Sequence, residues 1–344
     1  MIRVLIVDDS RLMRSMIRQA LSSCPDIDVV AEAPDPHSAR QLIKDLNPDV
    51  LTLDVEMPGM DGITFLQKIM DLRPMPVIMV STLTDQGTDT AIAAMELGAV
   101  DAVPKPGGNL SLPGFGRLLA DRIRMAAKAS VRRQAAPPPQ PQAGVLPKVD
   151  VIAIGASTGG VSAIGAVLQH IPPDAPPVVI VQHMPEAYTG RFADRLDKQL
   201  RVHVSEAQDG ETLRPGTVRI APGGAHLRFR KTEAGLRTRL EQSAPVSGHC
   251  PSVDVMFHAL AETGVKCRAA LLTGMGRDGA DGLLRLYRAG HTCLVQDKAS
   301  CVVFGMPRVA IELGAASEIL PLDHLGARLF TKSQDRARHT ARAS

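Results

Sequence analysis

The sequence predicts an α/β protein of two domains, an N-terminal (βα)5 domain and a C-terminal domain with a doubly wound, mainly parallel sheet. The chain has 344 residues, more than one ordinary core requires. Short apolar runs alternate with helical patterns on both sides of residues 129–147, as expected for βα units. Residues 129–147 are rich in Pro and Gln, have little apolar surface to bury, and are typical of an extended linker.

The first domain, residues 1–128, contains five successive strand and helix patterns. We expect strands near 3–7, 27–33, 49–53, 76–80 and 100–103, and helices near 11–22, 36–46, 60–72, 86–97 and 113–128. The alternation resumes over residues 148–331, with antiparallel turns around 202–240. Residues 332–344 form a basic tail.

Composition is that of a soluble globular protein, with 44% hydrophobic and 22% charged residues. No apolar run is long enough for a membrane span, and the first strand is followed by acids, so we expect neither a signal peptide nor membrane insertion. The five cysteines show no CxxC spacing, which favours a reducing cytoplasm. With no Trp and two Tyr, the chain has few rings for stacking on nucleic acid, and we expect no nucleic-acid partner.

Charge is divided unevenly between the two halves. Residues 1–128 hold 13 Lys and Arg against 17 Asp and Glu, whereas residues 129–344 hold 26 against 19. Opposite charges would help the halves dock or help the second half meet an acidic partner. Ordinary surface variation accounts for such a difference equally well, so both interpretations stay open.

Acids and a lysine follow the predicted strands of the first domain. Asp8 and Asp9 follow the first strand, Asp54 the third, Ser81 and Thr82 the fourth, and Lys105 the fifth. Three carboxylates brought together repel one another unless a cation lies among them, and Mg²⁺ suits such ligands. A carboxylate can attack phosphorus to form an aspartyl phosphate, whose oxygens a lysine and a hydroxyl would hold.

These residues resemble the receiver domain of two-component response regulators. The resemblance covers residues 1 to about 125 and rests on Val7-Asp8-Asp9-Ser10, the segment from Asp54 to Gly62, and Lys105-Pro106. It implies that Asp54 accepts the phosphoryl group, that Ser81 is the switch hydroxyl, and that Lys105 contacts the phosphate. The implied Mg²⁺ ligands are Asp9, Asp54 and the backbone carbonyl of Glu56, with Asp8 in support.

The second domain opens with a G-x-S-x-G pattern, Gly155-Ala156-Ser157-Thr158-Gly159, directly after an apolar run. A serine on such a strand-to-helix turn is exposed beside free helical N–H groups. A phosphate-binding turn is less favoured, because the dinucleotide pattern requires Gly where Ser157 stands and no Gly-Lys-Ser/Thr follows. A plain structural turn remains an alternative.

Two further strand ends supply partners for the serine. His183 follows Val178–Val181 and Gln182, which sets it apart from the other histidines as the base that a serine requires. Asp278 lies in a Gly-bounded loop after a third apolar run and would orient the imidazole. Its alternative role is that of a helix N-cap, and Asp281 is its nearest rival. The order Ser, His, Asp differs from that of α/β-hydrolases.

This order and its motifs resemble the chemotaxis protein-glutamate methylesterases, response regulators with a C-terminal esterase domain. The resemblance rests on Ile154–Gly160, Val181–Pro185 and Leu272–Ala280, with support from 221–226 and 251–254. It implies Ser157 as nucleophile, His183 as base and Asp278 as orienting acid, with the Met275 N–H in the oxyanion hole and Thr158 adjacent. It also implies methyl-accepting chemotaxis receptors as substrates, a chemotaxis histidine kinase as phosphodonor, and no cofactor at the esterase site.

We therefore expect a cytoplasmic, phosphorylation-regulated esterase that hydrolyses glutamate γ-methyl esters on chemoreceptors. Deamidation of receptor glutamines follows from the resemblance. The linker would let the unphosphorylated receiver cover the esterase cleft. The alternatives are a DNA-binding response regulator, suggested by the basic second half, and a non-catalytic adaptor that only docks on receptors.

Overall fold

A computed structural model describes residues 1–82, 84–107, 110–131 and 148–331. The helices and strands confirm the predicted α/β architecture. Most of the predicted linker, from 132 onward, and the basic tail at 332–344 lie outside the described residues. The exact domain limits therefore stay predictions.

Five parallel strands form the first sheet, in the order β2-β1-β3-β4-β5. Its elements are β1 (Ile2–Val7), α1 (Arg11–Leu21), β2 (Ile27–Ala33), α2 (Pro36–Leu46), β3 (Val50–Asp54), α3 (Gly62–Leu72), β4 (Val77–Ser81), α4 (Asp85–Glu96), β5 (Asp101–Pro104) and α5 (Leu112–Ala126). Each of these helices has an N-cap residue, such as Ser10 or Asp35, whose side-chain oxygen accepts from a backbone N–H of the first turn. β3 is the central strand of this sheet and is buried throughout, and Asp54 is its last residue.

Seven parallel strands form the second large sheet, in the order β14-β13-β12-β6-β7-β9-β8. Its elements are β6 (Val151–Ala156), α6 (Gly160–Leu168), β7 (Val178–Gln182), α7 (Glu186–Gln199), β8 (His203–Glu206), β9 (Thr217–Ile220), α8 (Val253–Thr263), β12 (Cys267–Leu271), α9 (Ala280–Arg288), β13 (Thr292–Gln296), α10 (Met306–Glu312), β14 (Glu318–Leu320) and α11 (Leu322–Phe330). β6, β7 and β12 are buried at every position, as expected for central strands of a parallel sheet, and the burial includes the polar side chains of Gln182 in β7 and Arg268 in β12.

The antiparallel turn expected around 202–240 is a separate two-stranded hairpin of β10 (His226–Thr232) and β11 (Gly235–Glu241). In the same region, β8 pairs in parallel with β9, and β9 pairs in parallel with β7. Among the residues described, this hairpin is the only antiparallel pair of strands, and the other antiparallel contacts are isolated bridges such as that between Thr212 and Arg237. None of the helices described here is long and apolar enough to cross a membrane.

The two domains pack against each other through α4 and α7. Ala91 and Ile92 of α4 are fully buried in a core shared with Phe192 of α7. Arg195 of α7 donates to Glu96 of α4 at 2.7 Å. The receiver-like domain therefore contacts the second domain through the helix that follows β4, the strand that ends in Ser81.

Candidate active site

Three neighbouring strands bring the predicted triad positions to one edge of the seven-stranded sheet. β6 lies between β7 and β12, so the residues that follow these strands meet at their carboxyl ends. The Ser157 N–H donates to the Thr273 carbonyl after β12 at 3.0 Å, and the His183 N–H donates to the Ala156 carbonyl of β6 at 3.1 Å. The convergence inferred from three separate apolar runs is therefore present in the fold.

The Ser157 turn is closely packed. Gly159 has a φ of +76° and leads into α6 without a side-chain cap. A Cβ on Gly274, in the loop after β12, would lie 2.7 Å from the Cβ of Ser157, so this position accepts no side chain. Glycine at 274 thus lets the β12 loop approach the serine. The expectation that Ser157 is exposed is wrong, because the residue is only 5% exposed in a cleft that the first domain also lines.

His183 and Asp278 form a buried pair, with 2.8 Å between His183 Nε2 and Asp278 Oδ2. Asp278 also accepts from Ser252 Oγ at 2.8 Å, from the Val253 N–H at 2.7 Å and from the Asp254 N–H at 3.1 Å. Burial raises the pKa of the Asp278 carboxyl, but the bond and charge of His183, followed by the Ser252 and Val253 donors, hold it below the ordinary value. Asp278 is therefore a carboxylate that accepts from the imidazole.

The alternatives for Asp278 do not match its surroundings. The N-cap residue of α9 is Gly279, and no side chain caps the helix, so Asp278 does not cap it. Asp281 lies within α9 and pairs with His258 at 3.1 Å through a side chain that is 61% exposed. The geometry favours Asp278 over its rival as the partner of His183.

The remaining ring nitrogen of His183, Nδ1, is buried and makes no hydrogen bond. Ser157 and His183 line the same cleft, but no hydrogen bond joins Ser157 Oγ to the ring in this structure. Hydrogen bonds in ligand-free active sites are commonly long and tighten when substrate binds. The structure therefore pairs His183 with Asp278 and leaves Nδ1 as the nitrogen available to the serine.

A second histidine, His249, is one of the candidate bases over which the sequence favoured His183. Its ring stacks on that of His183, with 3.6 Å between centroids and 9° between planes. Burial, and then the charge of His183, lower the pKa of His249 to about 4, so the ring is neutral at neutral pH. It lies in an irregular loop between β11 and α8 with no periodic pattern, so no local feature of the sequence distinguishes it from the other histidines.

The two groups that the resemblance places near the oxyanion, the Thr158 hydroxyl and the Met275 N–H, have no hydrogen-bond partner among the residues described. Thr158 Oγ1 is buried without a hydrogen-bond partner. Met275 is 36% exposed, and its N–H donates to no other residue in the described part of the chain. The structure thus leaves both groups implied by the resemblance free to donate to a ligand.

The cleft beside Ser157 and His183 is closed on its other side by the first domain. Its walls include Tyr188 of α7 together with Ala102 and Arg122 of the first domain. After burial and the charge of His183, the charge of Arg122 further lowers the pKa of His249. The first domain therefore lies directly over the candidate active site.

The predicted acidic site of the first domain is also assembled. Ligand oxygens of Asp8, Asp9 and Asp54 all lie within 4.8 Å of one another. Lys105 Nζ is 2.8 Å from Asp54 Oδ1 and 3.4 Å from Asp8 Oδ2, and this last oxygen is buried without a hydrogen bond. Burial, and then the charge of Asp54, raise the pKa of Asp8 to about 6, and burial raises that of Asp54. Clustered, poorly compensated carboxylates of this kind fit Mg²⁺.

Glu56 and Ser81 flank this acidic site in different ways. The Glu56 N–H donates to Asp54 Oδ1 at 3.4 Å, which places the Glu56 backbone beside the predicted phospho-acceptor, while the Glu56 side chain is exposed. Ser81 is fully buried, and its Oγ lies 3.5 Å from the Tyr188 hydroxyl of the second domain. The predicted switch hydroxyl therefore contacts a wall of the candidate active site.

Comparison with known proteins agrees with both halves of this description. A family model described as CheB methylesterase matches residues 152–329, and one described as a response regulator receiver domain matches residues 4–112. The structure is similar to the crystal structure of the Thermotoga maritima CheB methylesterase catalytic domain. The TM-score is 0.51 at 38% identity, covering 53% of this chain and 97% of that chain.

Two relatives match almost from end to end, and both are named protein-glutamate methylesterase/protein-glutamine glutaminase. The relative from Caulobacter vibrioides is 52% identical over 335 residues, which is 96% of this chain and 97% of its own. The relative from Bordetella parapertussis is 50% identical over 343 residues, covering 97% and 98%. The chain belongs to the CheB methylesterase family, whose members of this form join a receiver domain to a methylesterase domain.

Proposed function

We propose that this protein is a phosphorylation-regulated chemotaxis methylesterase that hydrolyses glutamate γ-methyl esters on methyl-accepting chemoreceptors. The observation that carries the proposal is the buried His183–Asp278 pair at the strand ends beside Ser157, under a receiver domain. Specific receptor glutamines are deamidated by the same acyl chemistry, with ammonia in place of methanol. The names of the relatives, which join the two activities, support this second reaction.

Ser157 is the nucleophile of the proposed reaction. His183 Nδ1 takes the proton from Ser157 Oγ while Asp278 holds the Nε2 side of the ring and stabilises the imidazolium. Oγ attacks the ester carbonyl, and the Met275 N–H and Thr158 donate to the tetrahedral oxyanion. The imidazolium protonates the leaving methoxide, and methanol departs from a glutamyl-serine ester. His183 then activates water, which releases glutamate and restores Ser157.

Regulation is proposed to act through the first domain. Asp54 accepts the phosphoryl group from a chemotaxis histidine kinase, and Lys105 with Ser81 contacts its oxygens. Asp9, Asp54 and the Glu56 carbonyl would hold Mg²⁺, with Asp8 in support, and the bound ion would supply positive charge to the phosphoryl oxygens. Ser81 would leave Tyr188 to reach the phosphoryl group, which weakens the contact that holds the receiver over the cleft.

The test is methanol release from methylated receptor preparations by the full chain. We expect turnover by the wild type, a rise when Mg²⁺ and a small phosphodonor are added, and no rise for Asp54→Asn. Ser157→Ala abolishes turnover but retains receptor binding, whereas the control Ser23→Ala, an exposed serine of the receiver, behaves as wild type. Turnover that survives in Ser157→Ala would exclude the proposed nucleophile. Receptor binding by a wild type without turnover would favour the adaptor alternative.

A further inference from the structure

We propose that four arginines on the β10–β11 hairpin form a docking surface for an acidic segment of the protein substrate. Side chains alternate between the two faces of a strand, so Arg228 and Arg230 share one face of β10. The register sets Arg228 opposite Arg239 and Arg230 opposite Arg237. These four side chains, named here the arginine face, therefore form two directly opposed pairs of like charge.

Such an arrangement is costly for the hairpin itself. Like charges directly opposite one another destabilise a strand pair. Arg228 is compensated by Glu241 at 2.9 Å, and Arg237 donates only to the neutral Thr212 hydroxyl. Arg230 and Arg239 are exposed and have no ion-pair partner among the residues described. Apart from Arg228, the face therefore presents positive charge that the described residues do not neutralise.

The opposite face of the hairpin shows why the arginines point outward. Leu227 and Leu236 are buried in the esterase core, and Phe229 and Leu240 pack against it. The apolar face anchors the hairpin, so the arginine face cannot turn inward. Residues 226–241 carry five Lys and Arg against two Glu, an excess equal to the +3 of the whole chain.

The arginine face begins beside the triad. β10 starts at His226, whose Nδ1 accepts from the Ser252 N–H at 3.1 Å, and Ser252 Oγ donates to Asp278. At about 3.3 Å per residue, Arg228 and Arg230 follow at about 7 and 13 Å from His226 along the strand. A protein segment bound on this face could extend from the hairpin to Ser157.

The occupant follows from charge complementarity, and this step rests on the proposed function. Each turnover converts a neutral methyl ester, or a neutral amide, into a carboxylate, so the substrate segment accumulates glutamates around its remaining sites. Arginine pairs with carboxylates through two parallel N–H donors. The arginine face would hold the glutamates already formed while a neighbouring ester enters the cleft, and it would bind a demethylated segment more tightly than a methylated one.

The test compares Arg230→Gln/Arg239→Gln with the control Arg201→Gln/Arg288→Gln in the full chain. The control removes two exposed arginines at the amino ends of the strands, away from the proposed triad: Arg201 precedes β8 and Arg288 ends α9, before β13. Methanol release is measured over a range of methylated receptor concentrations at low and high salt. Loss of two exposed ion pairs should raise KM about fivefold, change kcat less than about twofold, and flatten the salt dependence of kcat/KM. The control should change none of these.

A second readout separates this inference from the proposed function. Binding of Ser157→Ala to methylated and to demethylated receptor preparations is measured with and without the two arginine substitutions. Equal KM, salt dependence and binding in the variant and the control would overturn the docking surface, even if methanol release is normal. A wild type that binds but releases no methanol rejects the proposed function alone. Loss of affinity for duplex DNA, with receptor affinity unchanged, would assign the face to nucleic acid and overturn the proposal.

Discussion

Replacing Asp278 with Asn should damage stability as well as catalysis. An amide has the shape of a carboxylate, but one acceptor becomes a donor. Asp278 Oδ1 accepts from the Asp254 N–H and Oδ2 from the Val253 N–H, so either orientation of the amide points its NH₂ at a backbone donor. The better orientation keeps the oxygen at the Oδ2 position, where it still accepts from His183.

The size of the effect follows from these contacts. A buried backbone N–H left unsatisfied costs about 1–3 kcal/mol, and the other donors lose bonds to a charged acceptor, so we expect Asp278→Asn to lower the free energy of unfolding by about 2–4 kcal/mol. The ring of His183 stays oriented in the better amide orientation, but no charge stabilises the imidazolium. We therefore expect kcat to fall by about a hundredfold or more.

Calorimetric unfolding of the full chain and methanol release from receptor preparations measure the two quantities. Asp281→Asn is the matched control, because its carboxylate lies three residues away, is exposed, and makes only a surface pair with His258. That pair is worth at most about 1 kcal/mol. An Asp278→Asn variant that unfolds at the wild-type temperature would refute the argument that both oxygens are fixed by backbone donors.

Other substitutions test the remaining contacts. Asp8→Asn should stabilise the metal-free protein by about 2–3 kcal/mol at pH 8. In the wild type, the pKa of Asp8 is raised from 3.8 to about 6, so its contribution to stability is fully present below pH 4 and is lost as the pH rises through 6. The stability gained by the Asp8→Asn variant should therefore vanish at pH 4. An equal gain at both pH values in thermal unfolding would contradict this. Tyr188→Phe removes the hydroxyl 3.5 Å from Ser81 Oγ and should raise the activity of the unphosphorylated protein about two- to tenfold. Unchanged basal methanol release would show that this contact does not hold the receiver over the cleft. His249→Leu should lower kcat by a factor that is constant between about pH 6 and 9, because the ring it replaces has a pKa of about 4. A displaced midpoint in the pH profile would show that His249 titrates in this range.

Much of the site could be predicted because strand ends carry local signals. Ser157, His183 and Asp278 each follow an apolar run, and parallel strands bring such positions to one edge. The order of strands in the sheet, which makes β7 and β12 the neighbours of β6, depends on packing between distant segments and has no local signal.

The residues that support the proposed triad could not be predicted for the same physical reason. Ser252 looks like an ordinary helix cap, and it does cap α8 by accepting from the Val255 N–H. Its second role, donating to Asp278, exists only because the start of α8 meets the loop after β12. His249 reaches His183 through an irregular loop, whose course follows from tertiary contacts and not from periodicity.

The position of the receiver over the cleft has a consequence for how the enzyme responds to its own abundance. If the receiver inhibits the esterase as proposed, inhibitor and active site belong to one chain, so the local concentration of the receiver at the cleft is set by the covalent connection, on the order of millimolar for a short connection. Diluting the protein therefore leaves the resting activity unchanged. Cutting the chain between residues 131 and 148 would turn the same contact into a bimolecular one, and inhibition would then fall with dilution.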